Sequence, residues 1–323
     1  MNTICPHANC HAPETTCAIG EPSLDKCEHW QGVTTDDGEP VKTERLDDAL
    51  LPWTGNSMGG SDIAFVAARS SAKLVAIIGA ESAGKTTLLA AWYLLTSRGG
   101  HPDNQRFCGS YSLGGWENIA SSLRWSTPSG PTFPAHTSSA AGRRPGLLHL
   151  AFRSGTSLPT DVLFADTPGE WFSRWAVHRD APEAVGAKWL VEYSDVILVV
   201  ADSQALAGKE RGLARGKLLD LIQRTGAERK DQPVALVWAK SDIEVPQVLV
   251  DVVRSAATRH LPGHVEFQVS LYPPKGSAGS VDIDRGTNLL ELLTWVTEAQ
   301  RLRYIPSNSA PISTDYFVAY GHD

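Results

Sequence analysis

The sequence predicts a three-layer α/β domain, a mostly parallel sheet with helices on both faces, behind a small N-terminal module stapled by metal. Three observations predict it. Short continuous apolar runs alternate with segments of helical periodicity along most of the 323 residues. A glycine-rich turn joins the first such run to the first long helical segment. Four of the five cysteines fall within the first 27 residues. Hydrophobic residues make up 42% of the chain and charged residues 20%, which permits a sizeable core and excludes global disorder. The net charge of −7 announces no nucleic-acid partner.

Residues 1–32 are rich in Cys, His and Pro and too poor in aliphatic side chains to hold themselves by a core. Cys5, Cys10, Cys17 and Cys27 can supply four thiolates to one structural Zn²⁺. His7, His11 and His29 are alternative ligands, and free or disulfide-linked cysteines are the competing reading. The first residues lack the basic start and apolar run of a signal peptide, and Asn2 stands where myristoylation needs glycine. No run of 18 apolar residues is present, so the expected location is cytoplasmic. Residues 33–72 read as a polar linker with a lead-in helix near 61–72, capped by Ser61 or Asp62.

The main domain is expected over 73–304, with an irregular tail over 305–323. Residues 74–78 form an apolar run typical of a buried parallel strand. After the glycine-rich turn, 86–97 read as a helix facing the core with Leu88, Leu89, Ala91, Trp92 and Leu95, stopped by Gly99 and Gly100. Residues 101–145 look loop-like except for a helix near 116–125, and suggest a switch region. Further strands are expected at 147–152, 161–166, 196–201, 234–239 and 265–270. Helices are expected around 181–193, 209–224 and 288–301.

The turn Gly79-Ala80-Glu81-Ser82-Ala83-Gly84-Lys85-Thr86 matches G-x-x-x-x-G-K-[ST] in full, between a strand and a helix. This is a P-loop. Its glycines let backbone amides approach phosphate oxygens, and the helix N-terminus adds favourable dipole charge. Lys85 should reach the β- and γ-phosphates, Thr86 should offer its hydroxyl to Mg²⁺, and Thr87 should add an amide at the helix start.

Asp166-Thr167-Pro168-Gly169 follows the strand at 161–165. An acid there can hold Mg²⁺ through water, opposite Thr86, and the Gly169 amide can sense the γ-phosphate. Loss of that phosphate would release the segment beyond. Glu170 stands where a glutamine could orient the attacking water. It could act as a base, or its charge could slow hydrolysis.

Lys240-Ser241-Asp242 follows the strand at 234–239 and matches the guanine-reading pattern [NT]-K-x-D except at Ala239. Asp242 would accept from the N1–H and 2-amino groups of guanine, a pair adenine does not present. Ala239 lacks the amide that would tie this turn to the cradle, so adenine nucleotides stay open. Ser270, near Leu271, is a candidate for the last base-side loop.

The order and spacing of these motifs resemble the translation-factor-like class of P-loop GTPases. Phe107-Cys108-Gly109-Ser110-Tyr111-Ser112-Leu113-Gly114-Gly115-Trp116-Glu117 is similar to the bacterial double-GTPase family. So are Asp166-Thr167-Pro168-Gly169-Glu170-Trp171-Phe172, the segment from Trp238 to Asp242, and the Cys-rich start. The resemblance implies a GTPase switch, with GTP or GDP and Mg²⁺ as ligands. It would signal to other proteins of a multi-component bacterial system, in conflict or anti-phage defence. It also implies a switch-region threonine on Mg²⁺, for which Thr137 is the candidate; an ordinary loop residue is the competing reading. An ATPase, a nucleotide-dependent kinase and a nucleotide-stabilised scaffold remain as other functions.

Trp116, Trp125, Trp171 and Trp175 lie near the two switch segments. Core packing is preferred to an effector-docking surface. Arg143 or Arg144 could act as an internal arginine finger, against the plainer reading of solvated surface arginines. Cys108 is expected to be a packed small hydrophobe.

Overall fold

The computed structural model describes residues 2–3, 26–29, 33–34, 57–59, 62–69, 72–124, 146–272 and 286–301. The chain forms two compact units, Met1–Leu51 and Pro52–Asp323. In the first, β1 (Asn2–Thr3) pairs antiparallel with β2 (Val33–Thr34), and Cys27 is buried. Cys5, Cys10, Cys17, His7 and His11 lie outside the described residues, as do Thr137, Arg143, Arg144, Trp125 and the tail from 305 onward.

The second unit opens on α1 (Ile63–Arg69), shorter than the predicted lead-in helix because the first strand already begins at Ala72. Then follow β3 (Ala72–Gly79), α2 (Lys85–Ser97), β4 (Arg106–Gly109), α3 (Leu113–Ala120), β5 (Gly146–Arg153), β6 (Thr160–Asp166) and α4 (Gly169–Val177). After them come α5 (Val185–Tyr193), β7 (Val196–Asp202), α6 (Ser203–Ala207), α7 (Arg211–Glu228), β8 (Val234–Ala239), α8 (Gln247–His260), β9 (Val265–Val269) and α9 (Leu289–Glu298).

The seven strands of this unit's sheet run β4-β5-β6-β3-β7-β8-β9. Pairings from β6 through β3, β7 and β8 to β9 are parallel. The β4/β5 and β5/β6 pairings are antiparallel. The predicted mostly parallel sheet is thus observed, with an antiparallel edge that the apolar runs did not announce. β4 escaped prediction because its four residues are largely exposed, with no apolar run. α8 escaped because its Val-rich start reads as well for a strand, and only Val253 and Ala257 are fully covered.

Strand alternation builds the three layers. On one face Leu74, Ala76 and Ile78 pack with Phe172 and Trp175 of α4, Leu190 of α5, Leu221 of α7 and Val253 of α8. On the other, Val75 and Ile77 pack with Leu89 and Trp92 of α2, Trp116 of α3 and Leu293 of α9. Trp116, Trp171 and Trp175 are therefore core residues, as the packing reading held. Cys108 is a correction: it lies exposed on the edge strand β4, where its thiol donates to the Ala151 carbonyl at 3.4 Å. An edge strand has only one paired side, so an alternating residue there need not be covered.

Between the middle of β5 and the start of β6 the sheet buries a histidine–carboxylate hydrogen bond. His149 Nε2 lies 2.9 Å from Asp161 Oδ1, and both side chains are excluded from solvent. The Tyr111 amide donates to His149 Nδ1 at 3.0 Å, which makes Nε2 the protonated nitrogen. Trp116 Nε1 and Ser110 Oγ donate to the His149 carbonyl at 2.8 and 2.5 Å. The segment 110–116 is thereby pinned to the sheet.

Among the described residues no helix is long and apolar enough to cross a membrane.

Candidate nucleotide site

The carboxyl ends of the parallel strands meet over one cavity of about 500 Å³, and each predicted motif among the described residues contributes to its wall or supports it. This is where ligands bind in open α/β sheets, because the loops there diverge and helix N-termini point in.

The P-loop forms one end. β3 is buried through Gly79, where a Cβ would press on Val200 of β7. Ser82 and Gly84 take positive φ of 60° and 94°, which turns the chain tightly enough to start α2 at Lys85. Gly84 caps α2 with no side-chain hydrogen bond. The first amides of a helix point out of its N-terminus, so the start of α2 suits an anion. Ala80, Glu81 and Ala83 complete the turn, with the Ala83 amide donating to the Ala80 carbonyl at 3.3 Å.

Lys85 is buried, and its Nζ donates to the carbonyls of Gly79 at 3.1 Å and Ala80 at 2.9 Å. Burial pushes its pKa down to about 8, against the opposing pull of Asp166 and Glu81. The ammonium is held where a phosphate would arrive.

Thr86 Oγ1 donates to Asp166 Oδ1 at 2.8 Å, so the residues predicted on opposite sides of a Mg²⁺ ion are in direct contact. A hydroxyl beside a carboxylate is a hard-oxygen donor set and fits Mg²⁺. Gly169 opens α4 against the P-loop. A Cβ there would overlap the Glu81 amide and the Ala80 carbonyl carbon, so only glycine allows this approach. Glu170 is exposed beside it on the cavity wall. Thr167 is buried, and its hydroxyl has no hydrogen-bond partner among the described residues.

The other end is built from β8 and β9. Lys240 leaves β8 with φ of 57°, and the Ser241 amide donates to the Val269 carbonyl at 3.1 Å. Ser270 Oγ donates to Asp242 Oδ1 at 2.5 Å and accepts from the Tyr272 amide at 3.0 Å. The predicted Ser270 and Asp242 therefore form one unit. Lys240 Nζ donates to the Ser82 carbonyl at 2.9 Å, which joins this end to the P-loop.

Sequence reasoning missed Asp202 and Gln204, whose side chains also accept from Lys240. The available signal was an acid at the carboxyl end of the apolar run 196–201. Among the described residues no group of three or more His, Cys, Asp or Glu is placed to hold a metal.

Residues 73–296 match the family model described as Double-GTPase 2. Two solved structures of the S. cerevisiae Ski7 GTPase-like domain are similar to the chain. The one bound to GDP and inorganic phosphate is 13% identical, with a TM-score of 0.38, over 73% of this chain and 51% of that one. The GTP-bound one is 14% identical, with a TM-score of 0.36, over 73% and 52%. The chain thus spans about half the length of these structures. No curated protein matches it.

Proposed function

The chain belongs to the Double-GTPase 2 family, and from that premise we propose that it is a molecular switch that binds and hydrolyses GTP. One observation carries the reading. A single cavity has the Lys85 and Thr86–Asp166 constellation at one end and the Asp242–Ser270 pair at the other. The first suits a triphosphate and the second suits the donor edge of guanine.

In this reading the amides of residues 81–87 and Lys85 bind the phosphates. Thr86 and Asp166 would hold Mg²⁺, which would supply charge to shield the phosphates. Glu170 orients the attacking water. The water oxygen bonds to the γ-phosphorus as the bond to the β–γ bridging oxygen breaks, leaving GDP and inorganic phosphate. Gly169 donates its amide to the γ-phosphate, so α4 reports hydrolysis to protein partners. The partners belong to a multi-component bacterial defence system. Zn²⁺ on Cys5, Cys10, Cys17 and Cys27 holds the N-terminal module.

ATP is the second reading, because Ala239 lacks the amide of the guanine-reading pattern. Titration with GDP, GTP, ADP and ATP decides between them. Tighter binding of guanine nucleotides, with phosphate release lost in Lys85→Ala, is the expected result. Preference for ATP would overturn the assignment, and GTP binding without turnover would leave a scaffold.

A further inference from the structure

We propose that Asp202, assisted by Gln204, is a positioning residue for nucleotide affinity that acts through Lys240 and takes over the role of the side chain missing at Ala239. The inference rests on the guanine-nucleotide reading of the cavity.

A methyl group at Ala239 cannot bond the P-loop, so the base-side turn needs another tie to the cradle. Lys240 provides it, and all three of its ammonium protons are engaged. Nζ reaches the Ser82 carbonyl at 2.9 Å, Asp202 Oδ2 at 2.9 Å and Gln204 Oε1 at 3.1 Å. A lysine stem is flexible, and holding it in one place costs rotamer entropy. Asp202 offsets that cost with a charged partner, and its carboxylate side chain is only 12% exposed.

Asp202 is itself fixed. It ends β7, and its Oδ1 accepts from the amides of Gln204 at 2.9 Å and Ala205 at 3.2 Å, capping α6. One carboxylate therefore links the end of β7, the start of α6 and the turn after β8. Lys240 and Gln204 line the nucleotide cavity, and Asp202 stands behind them. Asp242 lies two residues beyond Lys240, in the turn that this clamp holds.

The test separates positioning from helix capping. Asp202→Asn keeps the size and one capping oxygen but turns an amide towards the ammonium. Asp202→Ser keeps only the cap. GDP affinity of the full chain is measured up to millimolar ligand for wild type, both variants, Gln204→Ala, Lys240→Met and the Asp202→Asn/Lys240→Met pair. Both Asp202 variants are expected to bind GDP about tenfold more weakly, and Gln204→Ala about twofold, with the melting temperature of the empty protein nearly unchanged. On the Lys240→Met background, Asp202→Asn should add nothing. Wild-type GDP affinity in Asp202→Asn overturns the proposal, as does an equal loss with and without Lys240. A wild-type chain that binds no guanine nucleotide fails the parent reading first, and is told apart by that.

Discussion

The two ends of the cavity are built on different principles. The phosphate end is mostly main chain: a buried strand, a turn with two residues at positive φ and a helix start, all within residues 72–97. The base end is mostly side chain, assembled from the ends of β7, β8 and β9 through Lys240, Asp202, Asp242 and Ser270. Backbone amides at a helix start stay in place whatever the neighbouring side chains are. Paired side chains depend on every partner being present. The phosphate end should therefore fail through the loss of one charge, and the base end through the loss of any one member of its network.

The largest effect is expected at Lys85. Replacing it by alanine removes the only buried lysine ammonium that the phosphates could reach among the described residues, and GTP affinity should fall about a thousandfold, as titration of a fluorescent analogue would read. Asp242→Asn comes next. It should cost about a hundredfold in GTP affinity and leave ATP nearly unchanged, since the amide mismatches guanine's donor edge. Equal losses for both nucleotides would show that Asp242 does not read the base.

A smaller effect is expected from Gly169→Ala, where a new methyl meets backbone that cannot yield cheaply. The empty protein should melt several degrees lower, and the ratio of GTP to GDP affinity should fall about tenfold. An unchanged ratio would remove Gly169 from phosphate sensing.

The smallest effect is the pH response of Lys85. Its pKa is lowered to about 8, so the empty site carries a charged ammonium below that value and a neutral amine above it. Triphosphate binding favours the charged form. Affinity should therefore fall about threefold between pH 7.5 and 8.5, while Lys85→Arg should show no such fall. For the empty fold the sign is opposite. The cost of burying the charge is present below about pH 8 and is relieved as pH rises towards the unfolded value of 10.5.

Legibility follows the same division. Residues 79–86 and 166–170 could be placed from sequence because a strand, a turn and a helix are local objects with local signatures. Ser270 could be named, but its bond to Asp242 spans 28 positions and exists only because β9 lies beside β8. Asp202 ended a visible apolar run, yet its pairing with Lys240 needed β7 and β8 to be neighbours in the sheet. The His149–Asp161 pair is similar. A histidine inside an apolar strand and an acid at the start of another carry no mark of contact until antiparallel register brings them together. Cys108 was misjudged because burial on an edge strand depends on what covers the edge.

Read alone, the sequence determines the layered α/β class, the P-loop turn between strand and helix, the acid that ends the strand at 161–166 and the family's pattern of motifs. Each is encoded by residues close together in the chain, where apolar period and glycine geometry leave little choice. The tertiary structure decided the antiparallel edge, the buried His149–Asp161 hydrogen bond and the clamp on Lys240. Those depend on which strands lie side by side and in what register, and hydrophobic pattern does not specify strand order.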